Sequence, residues 1–231
     1  MRIDNPGPTA RARWRVRAIV AAHLFGVSAA LPVLANDRVI SGATTSQVNL
    51  GTTDNLTVLS TGSVTFTPSG TSQAAVSGSL DNTVDNDGSI VWTSPQNWLG
   101  TGVSLGNGGI VRNRSNGTIT AGTWREPSGV PDVDLASSGV AFLSTTAVAT
   151  SGLVENDGTI QGAVGINFVG NGALTGIGGG AVTGIIRGLN GGGVFIGNWG
   201  GAGGYQQGRL LQTLSNRATI TAASLTLSLI H

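Results

Sequence analysis

Residues 154–160, VENDGTI, alternate apolar and polar positions, break at Asp157-Gly158, and resume. Successive side chains of a strand point to opposite faces, so Val154 and Asn156 share one face and Glu155 takes the other. Asp157-Gly158 reads as a tight turn, with Gly supplying positive φ and Asp a hydrogen bond to its own backbone. Ile160 then points inward, while Thr159 and Gln161 point out. The segment predicts strand, bend, strand. Its template is an aliphatic residue, then Asn or Ser two positions on, Gly or Ala two further, and Ile or Val two beyond. The template recurs in VLSTGSV (58–64), VDNDGSI (84–90) and LSNRATI (214–220), and in VRNRSNGTI (111–119) with two extra residues before the glycine. The repeated turn positions are Gly62, Gly88, Gly117, Gly158 and Ala218.

These turn positions are 26, 29, 41 and 60 residues apart. The last two steps lie near two and three coils of roughly twenty residues, and the first two fit one coil plus a loop. Self-similarity on this scale predicts an all-β solenoid, a right-handed parallel β-helix preceded by a helical signal segment. In such a stack each coil buries its aliphatic residues against the coils above and below, and Asn at a repeated turn forms a hydrogen-bonded ladder. The alternative is a barrel or sandwich of antiparallel hairpins joined by the DG and NG turns.

Composition favours strands over helices. Only 10% of residues are charged, against roughly 25% in soluble domains. The chain has 38 Gly and abundant Thr, Val, Ser and Asn, which supply strands and turns. With no Cys, neither disulfides nor thiolate metal sites can hold the fold.

The first 35 residues differ from the rest. Arg11, Arg13, Arg15 and Arg17 precede the apolar run AIVAAHLFGVSAALPVL (18–34), which ends in a helix-breaking Pro32 and the small-residue exit Val33-Leu34-Ala35. These are the parts of a secretory signal peptide with cleavage after Ala35. The alternative is an N-terminal membrane anchor, for which the run is short. The expected domains are therefore a signal peptide, 1–35, and a β-helix region, 36–231. The mature region carries seven Arg against ten acids, a formal charge of −3, which argues against a nucleic-acid partner.

Candidate chemistry is sparse. Asp85 and Asp87, and Asp132 and Asp134 with nearby Arg125, are paired acids of the kind that polysaccharide-cleaving enzymes use. The D-G context makes Asp87 read first as a turn residue. The histidines are His23, in the signal, and His231, at the last position, so no triad is expected. Gly176, Gly178 and Ala181 match a G-x-G-x-x-A pattern by chance in a glycine-rich stretch. No catalytic residue, metal or cofactor is predicted. Trp92, Trp98, Trp124, Trp199 and Tyr205 are the candidate ligand-contact aromatics, because exposed rings stack on sugars or anchor in a partner's pocket.

Together the export signal and the segments Val84–Ile90, Val111–Ile119, Val154–Ile160 and Leu214–Ile220 make the chain resemble the passenger region of bacterial autotransporters. The resemblance covers most of residues 40–222. It implies a right-handed β-helix, export to the cell surface, outer membrane or periplasm, and a structural stalk or adhesin. It also implies an outer-membrane translocator or carrier as partner, with a host or cell-surface glycan or protein as ligand. The family's C-terminal barrel has no counterpart in the sequence, which leads to the expectation of a C-terminally truncated passenger. An enzyme of the polysaccharide-lyase or glycosidase type on the same fold is the alternative.

Overall fold

The computed structural model describes residues 36–69, 73–93, 99–122, 137–143, 151–169, 173–178, 184–189, 193–197 and 219–222. The expected signal segment, 1–35, and Ala218 lie outside them. Strands follow one another in threes. The first three are β1 (Asp37–Ile40), β2 (Ala43–Thr44) and β3 (Val48–Asn49), and then come β4 (Asn55–Val58), β5 (Ser63–Phe66) and β6 (Gln73–Gly78). The third set is β7 (Asn82–Asn86), β8 (Ser89–Trp92) and β9 (Gly100–Leu105), and the fourth β10 (Gly109–Asn113), β11 (Thr118–Thr120) and β12 (Ser138–Leu143). The fifth is β13 (Ser151–Asn156), β14 (Thr159–Gly162) and β15 (Val164–Val169), and the sixth β16 (Ala173–Gly178), β17 (Ile185–Gly188) and β18 (Val194–Gly197). β19 (Thr219–Ala222) comes last.

Each set delivers one strand to each of three sheets. Sheet 1 is ordered β1-β4-β7-β10-β13-β16, sheet 2 β2-β5-β8-β11-β14-β17-β19, and sheet 3 β3-β6-β9-β12-β15-β18. Every strand pair among the described residues is parallel, so the antiparallel hairpin alternative is not what forms. The described residues are all-β with parallel sheets, as the residue pattern predicts.

Register turns the repeat into columns of like residues. Leu56, Val84, Val111 and Val154 are successive neighbours in sheet 1. Val64, Ile90, Ile119, Ile160 and Ile186 are neighbours in sheet 2, and Val76, Val103, Val140 and Ile166 in sheet 3. All are at most 1% exposed and belong to one core cluster. Burial of each such side chain is worth about 1.5–3 kcal/mol. Sheet 3 adds Leu105, Phe142 and Phe168 one position pair further on, the two rings 6.0 Å apart.

Two sequence expectations change. The 41-residue step from Gly117 to Gly158 is a single circuit, because β10 pairs directly with β13 and β11 with β14. Its extra length sits in the connection 121–137. The 60-residue step holds two circuits rather than three, since β17 lies between β14 and β19. The VLSTGSV copy is also displaced. Val58 pairs with Asn86, and Leu56 takes the place of Val84, so Ser60 is an exposed turn residue.

The corner from sheet 3 to sheet 1 has its own rule. Asp54 Oδ2 accepts from the Gly51 amide at 2.8 Å, and Asn82 Oδ1 accepts from the Ser79 amide at 2.8 Å. Just before them the chain turns left-handed, at Thr53 (φ 65°), Asp81 (φ 52°) and, one circuit later, Gly108 (φ 96°). Thr is β-branched and strained there, and the buried Thr53 hydroxyl has no partner. Replacing Thr53 with Gly is expected to raise stability by about 1 kcal/mol, read as a higher urea midpoint at unchanged m-value. Asp81→Gly should gain less, since Asp tolerates this conformation better.

Candidate functional site

The densest polar constellation lies at the seam where sheet 1 hands the chain to sheet 2. Asn86, Asn113 and Asn156 end strands β7, β10 and β13 and are register partners. All three are at most 1% exposed. Alternation puts them inward with the valines two residues earlier, so their amides must be satisfied without water. Asn86 Nδ2 donates to Asn113 Oδ1 at 2.8 Å, and Asn113 Nδ2 donates to Asn156 Oδ1 at 2.8 Å. The same nitrogens reach turn carbonyls. Asn113 bonds Gly117 O and Thr159 O, and Asn156 bonds Gly158 O and Ile185 O. The ladder begins at Asn86, whose Oδ1 accepts nothing. The preceding register partner is Val58, which has no donor to offer.

The turn glycines form a second column beside it. The residues that follow them, Ser89, Thr118, Thr159 and Ile185, each donate their amide to the glycine carbonyl one circuit earlier, at Gly62, Gly88, Gly117 and Gly158. The bond from Ser63 to the Gly42 carbonyl extends the row. A Cβ on Gly62, Gly88, Gly158 or Gly184 would overlap a backbone carbonyl oxygen of the preceding circuit, and one on Gly117 would also strike Asn113 Oδ1. Glycine is therefore required by close approach. It is not required by backbone conformation, because among the described glycines only Gly108 and Gly109 have positive φ, a correction to the turn chemistry expected from sequence. Gly42 and Gly184 belong to this column and were not part of the template reading. Gly42 lacks the preceding Asn, and Gly184 sits in a glycine-rich stretch without one.

Sheet 3 holds a further set that the template did not include. GVSL (102–105), GVAF (139–142) and GINF (165–168) each place Gly, an aliphatic residue and, two positions on, a large apolar side chain. A Cβ on Gly102, Gly139 or Gly165 would lie 2.6–2.7 Å from the γ2 methyl of Ile119, Ile160 or Ile186. Small residues here let the isoleucines of sheet 2 press against sheet 3.

The predicted ligand-contact aromatics fare differently. Trp92 is 1% exposed and lies in the core, because alternation along β8 sends it inward with Ile90. The Gly100 side-chain position is filled by its ring, and its indole nitrogen has no partner. It offers no surface to a ligand. Trp98, Trp124, Trp199 and Tyr205 lie outside the described residues, as do Arg125, Asp132 and Asp134.

Asp85 and Asp87 do not converge on an open site. Asp85 is bonded by Arg114, Nε to Oδ1 at 2.7 Å and Nη2 to Oδ2 at 2.5 Å. Asp87 accepts from Asn116 at 3.1 Å. Next to these, Arg112 pairs with Glu155 at 2.7 Å. All are contacts between adjacent circuits on the outer face. Hydrogen bonding to Asp85 raises the Arg114 pKa, against an opposing effect of burial. Among the described residues no group of three or more acids or histidines is placed to hold a metal ion.

Fold and seam define a class: an all-β protein of parallel sheets whose described polar side chains bind one circuit to the next. No protein-family model, curated protein or solved structure matches the chain.

Two measurements check the seam. Asn113→Ala deprives Asn86 of its acceptor and Asn156 of its donor, and should cost about 2–4 kcal/mol in chemical denaturation. Arg114→Ala, one residue away on an exposed pair, should cost under about 1 kcal/mol. Gly88→Ala should likewise destabilise by more than about 2 kcal/mol, whereas Gly42→Ala, with nothing within 4 Å of the new methyl, should leave the midpoint within about 0.5 kcal/mol.

Proposed function

We propose that residues 36–231 form a right-handed parallel β-helix of the autotransporter passenger type, exported to the bacterial surface, where it acts as a non-enzymatic display scaffold or adhesin. The observation that carries this reading is the rotation of successive strands through three parallel sheets, held in register by the asparagine ladder. The right hand follows from the strong preference of parallel crossovers. Stacking of this kind needs neither a Cys nor a long charged side chain, which suits export.

The geometry favours display over reach. Seven strands in sheet 2 at intervals of about 4.8 Å span only about 29 Å. Insertions concentrate where the chain passes from sheet 2 to sheet 3. The connection is Ala163 alone between β14 and β15, but 93–99 between β8 and β9 and 121–137 between β11 and β12. β8 pairs with β11 and β9 with β12, so both connections leave from neighbouring strands and return to neighbouring strands. They carry Trp98 and Trp124, the side chains we assign to a glycan or protein ligand. The translocator or carrier in the outer membrane is the other partner. An enzymatic role for Asp85 and Asp87 gains no support from side chains already held by Arg114 and Asn116.

Protease treatment of intact cells tests the proposal. The chain should be recovered outside the cytoplasm beginning at Asn36, and added protease should remove it while the cells stay whole. A soluble cytoplasmic pool that retains Met1 and is protected from protease would contradict it.

A further inference from the structure

Among the described residues, β1, β2 and β3 are the edge strands of the three sheets. Among them, one charged residue breaks the inward pattern. Arg38 is the register partner of Leu56 and so stands in the column continued by Val84, Val111 and Val154. Those four aliphatic residues are 0–1% exposed; Arg38 is exposed. Its Nη1 donates to the Asn49 carbonyl at 3.1 Å. The guanidinium thus reaches from the first strand of sheet 1 to the first strand of sheet 3, over the end of the apolar column. Other contacts join this circuit to the next: the Asn36 amide to Asp54 at 2.9 Å, Asn55 to Asp37 at 2.8 Å, and Gln47 to the Ala74 carbonyl at 2.9 Å.

We infer that the first circuit is a closed end, and that Arg38 is the residue that stops two copies of this chain from joining through it. A sheet edge offers unpaired backbone groups to any other strand. A second copy seated on β1 would shut the Arg38 guanidinium into the apolar column, where its hydrogen-bond partner is a carbonyl and not a carboxylate. Burying a charge without a countercharge is strongly unfavourable. The residues one position either side cannot do this, because Asp37 and Val39 belong to the outward face. The inference concerns the edge of the three sheets and is independent of export and display.

Sedimentation velocity on the full-length chain over a concentration series tests it, with circular dichroism as the check on folding. Arg38→Leu should associate at least about tenfold more tightly than the parent, and Arg38→Ala should shift in the same direction should leucine disturb the fold. Val39, 63% exposed on the same strand, provides a local reporter in a chain with no Cys. A Val39→Cys chain should form disulfide-linked dimers about tenfold faster when Arg38 is replaced. Unchanged association in a variant that keeps its β signal would overturn the inference. So would association without faster cross-linking at position 39, which would place the contact elsewhere.

Discussion

A buried carboxamide has donors and acceptors to satisfy and no water with which to do so. Asn113 and Asn156 meet this requirement only when each asparagine lies directly over the next, while Asn86 starts the row and its Oδ1 has no partner. The two Nδ2–Oδ1 contacts are both 2.8 Å. A slip of one residue in sheet 1 would turn the amides outward and bring Asp85, Arg112 and Glu155 into the core. The ladder therefore fixes register in sheet 1, and the valines two residues earlier fall into line because they share its face. The ion pairs on the other face follow from that alignment, since Arg112 and Glu155 are register partners.

Glycine transmits the same alignment to the other sheets. With parallel strands about 4.8 Å apart, the turn after each asparagine passes so close to the previous turn that a methyl group has no place. Sheet 3 needs glycine for a different reason, since Gly102, Gly139 and Gly165 accommodate isoleucine methyls from sheet 2. A chain with 38 Gly would ordinarily be read as flexible. At these positions glycine is instead a packing requirement, where one added carbon would separate circuits or sheets.

Much of this can be read from residues alone. Period-two alternation placed Val154, Asn156 and Ile160 inward, and the recurrence of Asn two residues after an aliphatic residue pointed to a ladder. The errors have physical causes. Val58 matches the template by residue type, but the aliphatic column runs through Leu56, which only pairing reveals. The long step to Gly158 looked like two circuits because a 17-residue connection between β11 and β12 resembles a missing repeat when only spacing is known. The chemistry of Trp92 suggests a ligand contact, but its alternation with Ile90 puts it inside. Asn82 closes a corner by accepting the Ser79 amide, a role that leaves no apolar periodicity in the sequence. Arg38 carries no signal until register sets it beside Leu56.

Nuclear magnetic resonance of the side-chain amides tests the central claim most directly. Selective labelling of asparagine should show the NH2 protons of Asn86, Asn113 and Asn156 exchanging slowly with solvent. Asn113 should give through-space contacts to both of the others, which are 27 and 43 residues away in sequence. Rapid exchange of these protons, or contacts that pair the strands in antiparallel order, would contradict an account in which this ladder aligns the sheets.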